Sequence, residues 1–303
     1  MRITLSMLTS RIRANLENSA SGMLEAQERV VSGKRIQRPS DDVAGVGRAM
    51  SLRATLASVD QYDRNSNILE SHLFVTSDAL TSITSKLQDV RNLVLRAASE
   101  AVTAEARAGI VTQLDQISDE LAAVANKQHL GRYIFSGSAS DTKPLLATGG
   151  DPPYSYQGNG DSFSIQVAPG TFLAANVTGD AVFNLGGAAV PGEPDVFATI
   201  NALKQKVLAG DVAGMSAELT HIDANLLNVT TIRSQIGGRL NRLESANDAL
   251  LDSKVQLQDL LSKTEDADFA ESVIDLRTRE NVYQAALETA SRVMQISLGD
   301  FLK

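Results

Sequence analysis

The chain has no cysteine, which removes disulfide frameworks, zinc ribbons, iron–sulfur clusters and thiol nucleophiles from consideration. Tryptophan is also missing, and aromatic residues make up only 4% of the 303 positions. A thick globular core around a ligand-sized apolar pocket is hard to build from that stock. Positive charge is in deficit: 28 Lys and Arg face 36 Asp and Glu, a net charge of -8. A surface made to neutralise phosphates is excluded, and nucleic acid is not an expected partner. No apolar run approaches the roughly 18 residues that a membrane helix needs, so no membrane partner is expected either. The opening residues MRITLSMLTSRIRANL carry neither an apolar signal core nor a small-residue cleavage site, and the chain is expected to keep its N-terminus uncleaved.

Proline is confined to the middle. All seven prolines lie between Pro39 and Pro194, so residues 40–143 and 195–303 are open to long helices. Eleven of the 21 glycines fall between Gly131 and Gly192, and that window reads as a turn-rich β insertion. Within it Arg132–Ser136, Tyr154–Gln157, Phe163–Val167 and Thr171–Leu173 read as strands, with Gly158–Asp161 as a hairpin turn between the second and third. A helix restarts at Asp195, a suitable N-cap, and ends at Gly210.

What is abundant outside this window is Ala, Ser, Thr, Leu and Val on an alternating 3,4 spacing. Leu69, Leu73, Thr76, Leu80, Ile83, Leu87, Val90, Val94, Ala97 and Ala101 form one seam, nine of the ten apolar, as in a coiled coil. Ile110, Leu114, Ile117, Leu121 and Val124 continue it on a second helix, expected to pack antiparallel after a turn near Ala101 to Ala108. A third seam runs from Leu219 through Ile222, Leu226, Val229, Arg233, Ile236, Leu240, Leu243, Asn247, Leu250, Lys254 and Leu257 to Leu261. A helix from Asp211 to Lys263 would be roughly 80 Å long. Gly237 and Gly238 inside it suggest close helix approach or a bend.

Both chain ends carry their own stripes. Leu5, Leu8, Ile12, Leu16, Ala20, Met23 and Val30 share one helical face, and Phe269, Val273, Leu276, Tyr283, Leu287, Ala290, Met294 and Phe301 another. The economical arrangement pairs the two terminal helices with each other and with copies from neighbouring subunits. The fold class expected is therefore mainly α, an elongated antiparallel bundle formed by both chain ends with a small β-rich insertion. Residues 1–42 and 265–303 would form a terminal polymerisation domain, 43–143 and 195–264 a helical rod, and 144–194 the insertion.

Gly33-Lys34-Arg35-Ile36-Gln37-Arg38-Pro39-Ser40-Asp41-Asp42-Val43-Ala44-Gly45 lies at the first junction. Pro39 is expected to stop the first helix and Ser40 to cap the next, with Asp41 and Asp42 on its positive end. Arg35 and Arg38 before the turn and Asp41 and Asp42 after it make a bipolar patch that could dock head to tail on a neighbour. The acidic run Glu265, Asp266, Asp268 and Glu271 reads as helix N-terminal charge rather than a metal site, Asp268 and Glu271 having capping-box spacing. His72, His129 and His221 are assigned to three separate helices with no metal-binding spacing. No GxSxG, phosphate loop or dinucleotide fingerprint occurs, so no catalytic, cofactor or metal residues are assigned and no enzyme is expected.

The stretch GKRIQRPSDDVAG resembles the N-terminal signature of bacterial flagellins and their relatives. Ile236–Glu244, Glu265–Glu271 and the end Ser297-Leu298-Gly299-Asp300-Phe301-Leu302-Lys303 agree at corresponding positions, although the final stretch lacks the second leucine that many relatives carry after Ser-Leu. Gly131–Gly137, Asp141–Leu145 and Tyr156–Gly160 look more like the family member seated between hook and filament than like the filament subunit. The resemblance implies a structural subunit of the bacterial flagellum, extracellular, on which flagellin polymerises. Its implied partners are further copies of itself, a neighbouring hook-associated protein, flagellin, a cytosolic export chaperone and the flagellar type III export apparatus. A short filament flagellin is the alternative. A cytoplasmic coiled-coil signalling scaffold fits less well, because such a rod needs neither a β insertion nor apolar stripes at both ends.

Overall fold

The computed structural model describes residues 5–99, 103–150 and 153–301, with side chains described for all of these except 5, 6, 8, 187 and 293–301. In chain order it comprises α1 (Leu5–Ser32), α2 (Val43–Ala97), α3 (Ala104–Ala125), β1 (Gln128–His129), β2 (Arg132–Tyr133), β3 (Leu145–Ala147), β4 (Tyr154–Tyr156), β5 (Ser164–Ala168), β6 (Thr171–Ala174), α4 (Gly179–Phe183), α5 (Val196–Ala209), α6 (Val212–Glu265) and α7 (Phe269–Phe301). Two compact units result: residues 1–58 with 253–303, and residues 59–252. The fold is mainly α with small antiparallel strand pairs, as the seams imply.

The helix ends follow capping chemistry. The first helix stops at Gly33, not at Pro39: Gly33 is left-handed (φ +67°) and its N–H returns to the Arg29 carbonyl at 2.9 Å. Ser40 does not cap α2. Asp42 does, accepting from the Gly45 N–H at 2.8 Å, while Asp41 folds back onto the N–H groups of Gln37 (3.0 Å) and Arg38 (2.8 Å). A carboxylate outcompetes a hydroxyl for these N–H groups because the bond is charge-assisted. Thr103 caps α3, which begins earlier than the turn expected there; of that expected turn and seam end, Ala101 lies outside the described residues. Asp195 and Gly210 bound α5, and Asp268 accepts from Ala270 at 2.8 Å and Glu271 at 3.2 Å to start α7.

In the unit of residues 59–252 the α2 seam is buried from Leu69 to Ala97. It meets Leu114, Ile117 and Leu121 of α3 and Ile222, Val229, Ile236 and Leu243 of α6 in one continuous core. Each such large side chain is worth about 1.5–3 kcal/mol on burial. Ion pairs Lys127–Asp78 and Lys86–Glu120 show α2 and α3 to be antiparallel. The α6 seam slips once: Ile232 is buried where the 3,4 spacing placed Arg233, which is exposed. A Cβ on Gly237 or Gly238 would meet open space, so close helix approach is not their reason, and α6 runs through both without interruption.

The strands pair differently from the sequence expectation. β4 pairs with β3 (Leu145 opposite Tyr156) and β5 with β6, so Gly158–Asp161 is not a hairpin turn. Asn159 instead anchors that stretch to a neighbouring loop: its side-chain oxygen takes the Ser138 N–H at 2.8 Å and its own N–H reaches the Ser136 carbonyl at 3.2 Å. Strand β2 ends at Tyr133, because Ile134 and Phe135 turn into the core. Asn126, at the end of α3, brackets Leu145 through both main-chain groups (2.9 and 3.1 Å), which sets β3 in place. Leu145, Val167, Leu173 and Phe183 belong to the same core as the helices, so the middle segment is built into this unit rather than forming a self-contained cluster. His129 lies on β1 rather than on a helix.

Candidate assembly surface

The unit of residues 1–58 and 253–303 contains every assembly residue assigned from the sequence. In it α1 and α7 lie antiparallel, a register fixed by charge. Asp275 of α7 binds Arg29 of α1 at 3.0 Å and is gripped by Arg279 one turn on (3.0 and 3.1 Å); Arg279 then donates to the Gly22 carbonyl at 3.2 Å. Gly22 leaves room for this, since a Cβ there would lie 2.6 Å from the Arg279 guanidinium.

Ile12, Leu16 and Met23 on α1 and Val273, Leu276 and Tyr283 on α7 are half-buried. Among the described side chains of the two helices only Ala26 and Ala290 are fully buried. The contact is thus a narrow one, closed by small residues. Phe269 (67% exposed) and Leu287 (44%) stand outside it. The side chains of Leu5, Leu8, Met294 and Phe301 lie outside the described residues.

Sequence periodicity missed a further set of exposed apolar residues in this unit. Leu24 and Val31 on α1 and Ile274 and Val282 on α7 are all more than half exposed. They flank the stripe instead of lying on it. The available signal was their apolarity at flanking helical positions, which a two-helix seam does not require.

Where the chain passes from α1 to α2 and from α6 to α7, the two connections pair with each other. Lys34 and Asp266 form an antiparallel bridge: Glu265 accepts the Arg35 N–H at 2.7 Å on its main-chain carbonyl, and the Gly33 carbonyl takes the Ala267 N–H at 2.9 Å. The Arg35 guanidinium adds the Thr264 carbonyl at 2.8 Å. The Glu265 side chain is buried (4% exposed) and binds Lys34 through one oxygen and Arg53 through the other. Lys34 also reaches Asp266 at 2.8 Å. A buried carboxylate is tolerable because a cation meets each of its oxygens.

The electrostatics follow from these bonds. The hydrogen bond to Asp266, helped by Glu265, raises Lys34 above the usual lysine range, and Lys34 in turn holds Asp266 below the usual carboxylate range. The N–H groups of Arg38 and Gln37 lower Asp41, and the Gly45 N–H lowers Asp42. Arg35 pairs with Asp42 at 3.4 Å and Arg38 with Glu28 at 3.2 Å, so the bipolar patch is closed largely within the chain. Of the acidic run, Asp268 caps α7 while Glu265 and Asp266 bind cations. Among the described residues no group of three or more His, Asp or Glu side chains could hold a metal ion, and no helix is long and apolar enough to cross a membrane. What the unit presents is exposed apolar surface around a salt-bridged joint.

Residues 3–140 match the bacterial flagellin N-terminal helical region and residues 219–302 the bacterial flagellin C-terminal helical region. The chain is 25% identical over 320 residues to flagellar hook-associated protein 3 of Escherichia coli, and 27% identical over 322 residues to that of Salmonella typhimurium; each alignment covers 98% of both chains. Among solved structures, a protein of Vibrio parahaemolyticus described as a flagellar hook-associated protein is 26% identical, with a TM-score of 0.68, over 75% of this chain and 100% of that one. With both helical regions matched at the two ends and the fold shared between them, the chain belongs to the bacterial flagellin family.

Proposed function

We propose that this protein is a structural subunit of the bacterial flagellum that forms the junction between hook and filament, the seat on which flagellin polymerises. The observation that carries the reading is the end-to-end alignment with hook-associated protein 3 from two organisms, covering 98% of both chains each time. The surface of the terminal unit supports it. Ile274, Val282 and Phe269 on α7 and Leu24 and Val31 on α1 are apolar groups left in solvent, and repeated burial of such groups across a ring of subunits supplies association energy without any catalytic group.

On this reading residues 1–42 and 265–303 are the polymerisation segments, 43–143 with 195–264 the rod, and 144–194 the β-rich part joined to it. Leu5, Leu8, Ile12, Leu16, Met23, Phe269, Val273, Leu276, Tyr283, Leu287, Met294 and Phe301 contribute the apolar side of assembly, and Arg35, Arg38, Asp41 and Asp42 its polar rim. The partners are other copies of the chain, a neighbouring hook-associated protein and flagellin. A cytosolic chaperone covering the terminal stripes before passage through the type III export apparatus completes the set. The role is structural, with no cofactor, and the location is the extracellular flagellum.

The test is deletion of the gene with labelled complementation. Cells lacking the protein should build hooks and release flagellin monomers into the medium, and label should sit in a short band at the hook tip. Label distributed along the whole filament would make the chain a short flagellin instead.

A further inference from the structure

In the unit of residues 59–252, a cleft of about 520 Å³ opens between α2, the β1–β2 hairpin and the β5–β6 hairpin. Its floor is His72 of α2. Sequence spacing left the histidines unrelated, but the fold brings His72 and His129 of β1 together edge to face, ring centroids 6.1 Å apart; Phe163, just before β5, meets His72 in the same way at 6.4 Å. The His72 ring therefore sits in the wedge between two hairpins, touching one on each side.

The groups around it are basic. His129 faces it from β1, with Nε2 held by the Ser71 hydroxyl at 3.1 Å. Arg132 of β2 lines the cleft. From α6, Arg239 approaches the far side by donating to the Ala174 and Asn176 carbonyls (3.4 and 3.1 Å). Asp161 reaches the rim, where it is engaged by Ser138 at 3.2 Å and Asn159 at 3.0 Å; among the described residues that line the cleft none is a carboxylate. A proton added to His72 would place a half-buried cation beside His129, with no carboxylate among the described residues that line the cleft to receive it. Burial first, and His129 second, hold the imidazole below the usual histidine range against the opposing pull of the Ala175 carbonyl.

We propose that His72 is a proton-operated catch: the neutral ring seats the Phe163 end of the β5–β6 hairpin on α2, and protonation loosens that end. The catch is specific to one end. Farther along, Asn65 holds the Gln166 carbonyl at 2.9 Å and Val167 and Leu173 are buried, so the rest of the hairpin stays in the core. At the Phe163 end three hydrogen bonds carry the closure: the Phe163 N–H on Asn176 Oδ1 (3.0 Å), the Ala175 N–H on the Phe163 carbonyl (2.8 Å) and Asn176 Nδ2 on the Asp161 carbonyl (3.0 Å).

The sign is fixed by linkage. A histidine whose folded pKa lies below its unfolded value of 6.5 stabilises the closed form at neutral pH, and that contribution is lost as pH falls through 6.5 towards the folded value. Amide exchange measured on the whole chain at about pH 7.5 and about pH 5, corrected for intrinsic rates, reads it. Protection at Phe163 and Ala175 should fall roughly tenfold for each pH unit by which the folded value lies below 6.5, while Leu146 and Ser155, a hydrogen-bonded pair of β3 and β4, keep theirs. His72→Phe, a ring that cannot charge, should remove the pH dependence at the two amides. The idea fails if the His72→Phe chain shows the same loss, or if the wild-type chain shows none. Should that variant not fold, the imidazole titration of His72 in the wild-type protein decides: a midpoint below 6.5 supports the catch and one at or above 6.5 overturns it.

Discussion

Lys34 and Asp266, 232 positions apart in sequence, are paired as neighbours in an antiparallel bridge, and Lys34 reaches past it to the buried carboxylate of Glu265. The same carboxylate also holds Arg53. This joint ties both connections to one side chain, and its disruption should be local.

Replacing Glu265 with Ala removes both ion pairs at once. The cations are partly exposed and can rehydrate, so the expected loss is modest, about 1–3 kcal/mol in denaturant unfolding. The sharper readout is exchange at the Arg35 and Ala267 amides, which bond across the joint and should open before α2 or α6 does. Unchanged protection at those two amides would mean that the main-chain bridge stands without the side chain.

Acid and base should open the joint from opposite sides. Asp266 is held below 3.8, so its stabilising contribution is complete above that value and fades as pH falls through the lowered one. Lys34 is held above 10.5, so its contribution is complete below that value and fades as pH rises through the raised one. Exchange at the Ala267 amide should therefore be slowest, after intrinsic correction, between about pH 4 and pH 10; Asp266→Asn should remove the acid limb and, because that carboxylate is the first cause of the raised Lys34, shrink the base limb as well.

Gly137→Ala should be among the most damaging small changes in the chain. Gly137 is left-handed (φ +70°), and a Cβ there would lie 2.2 Å from the Asn159 main-chain oxygen, which cannot swing aside as a side chain would. Strain plus the loss of the Asn159 anchor predicts about 2–4 kcal/mol of destabilisation. Gly131→Ala also has a left-handed backbone but meets nothing within 4 Å, and so should cost less. Equal melting temperatures for the two variants would refute the steric argument.

Ile274→Asp combined with Leu287→Asp tests the assembly surface. Both side chains are exposed, so folding should change by about 0.5 kcal/mol or less for each. Assembly should be lost, with flagellin secreted as monomer and few filaments attached to cells. Normal filaments on cells carrying this pair would move the seat away from α7, towards the Arg35 to Asp42 segment.

Much of the fold was legible because helices packed along seams write their contacts into a local period. Leu69 to Ala97 in α2 shows this: one face, one spacing and buried throughout. Legibility ended where a contact is made between distant segments by polar atoms. Nothing in Gly158-Asn159-Gly160 announces that Asn159 will bind Ser136 and Ser138 instead of turning a hairpin, and nothing local to His72 and His129 brings them together. The assembly face was half legible for a related reason. An apolar stripe shows that a helix has a partner, but Met23 and Leu24 are equally apolar, and only packing reveals that the first is half-buried while the second is exposed.

The bridge between Lys34 and Asp266 also changes what the narrow α1–α7 contact must accomplish. Two separate helices meeting through Ala26, Ala290 and a few half-buried side chains would need a high concentration to associate. Here the chain leaves the joint as two strands already side by side, with Gly33 on one and two residues, Ala267 and Asp268, before α7 on the other. So short a tether sets an effective concentration in the millimolar range, and a pairing too weak to exist between free peptides becomes self-sustaining within one molecule.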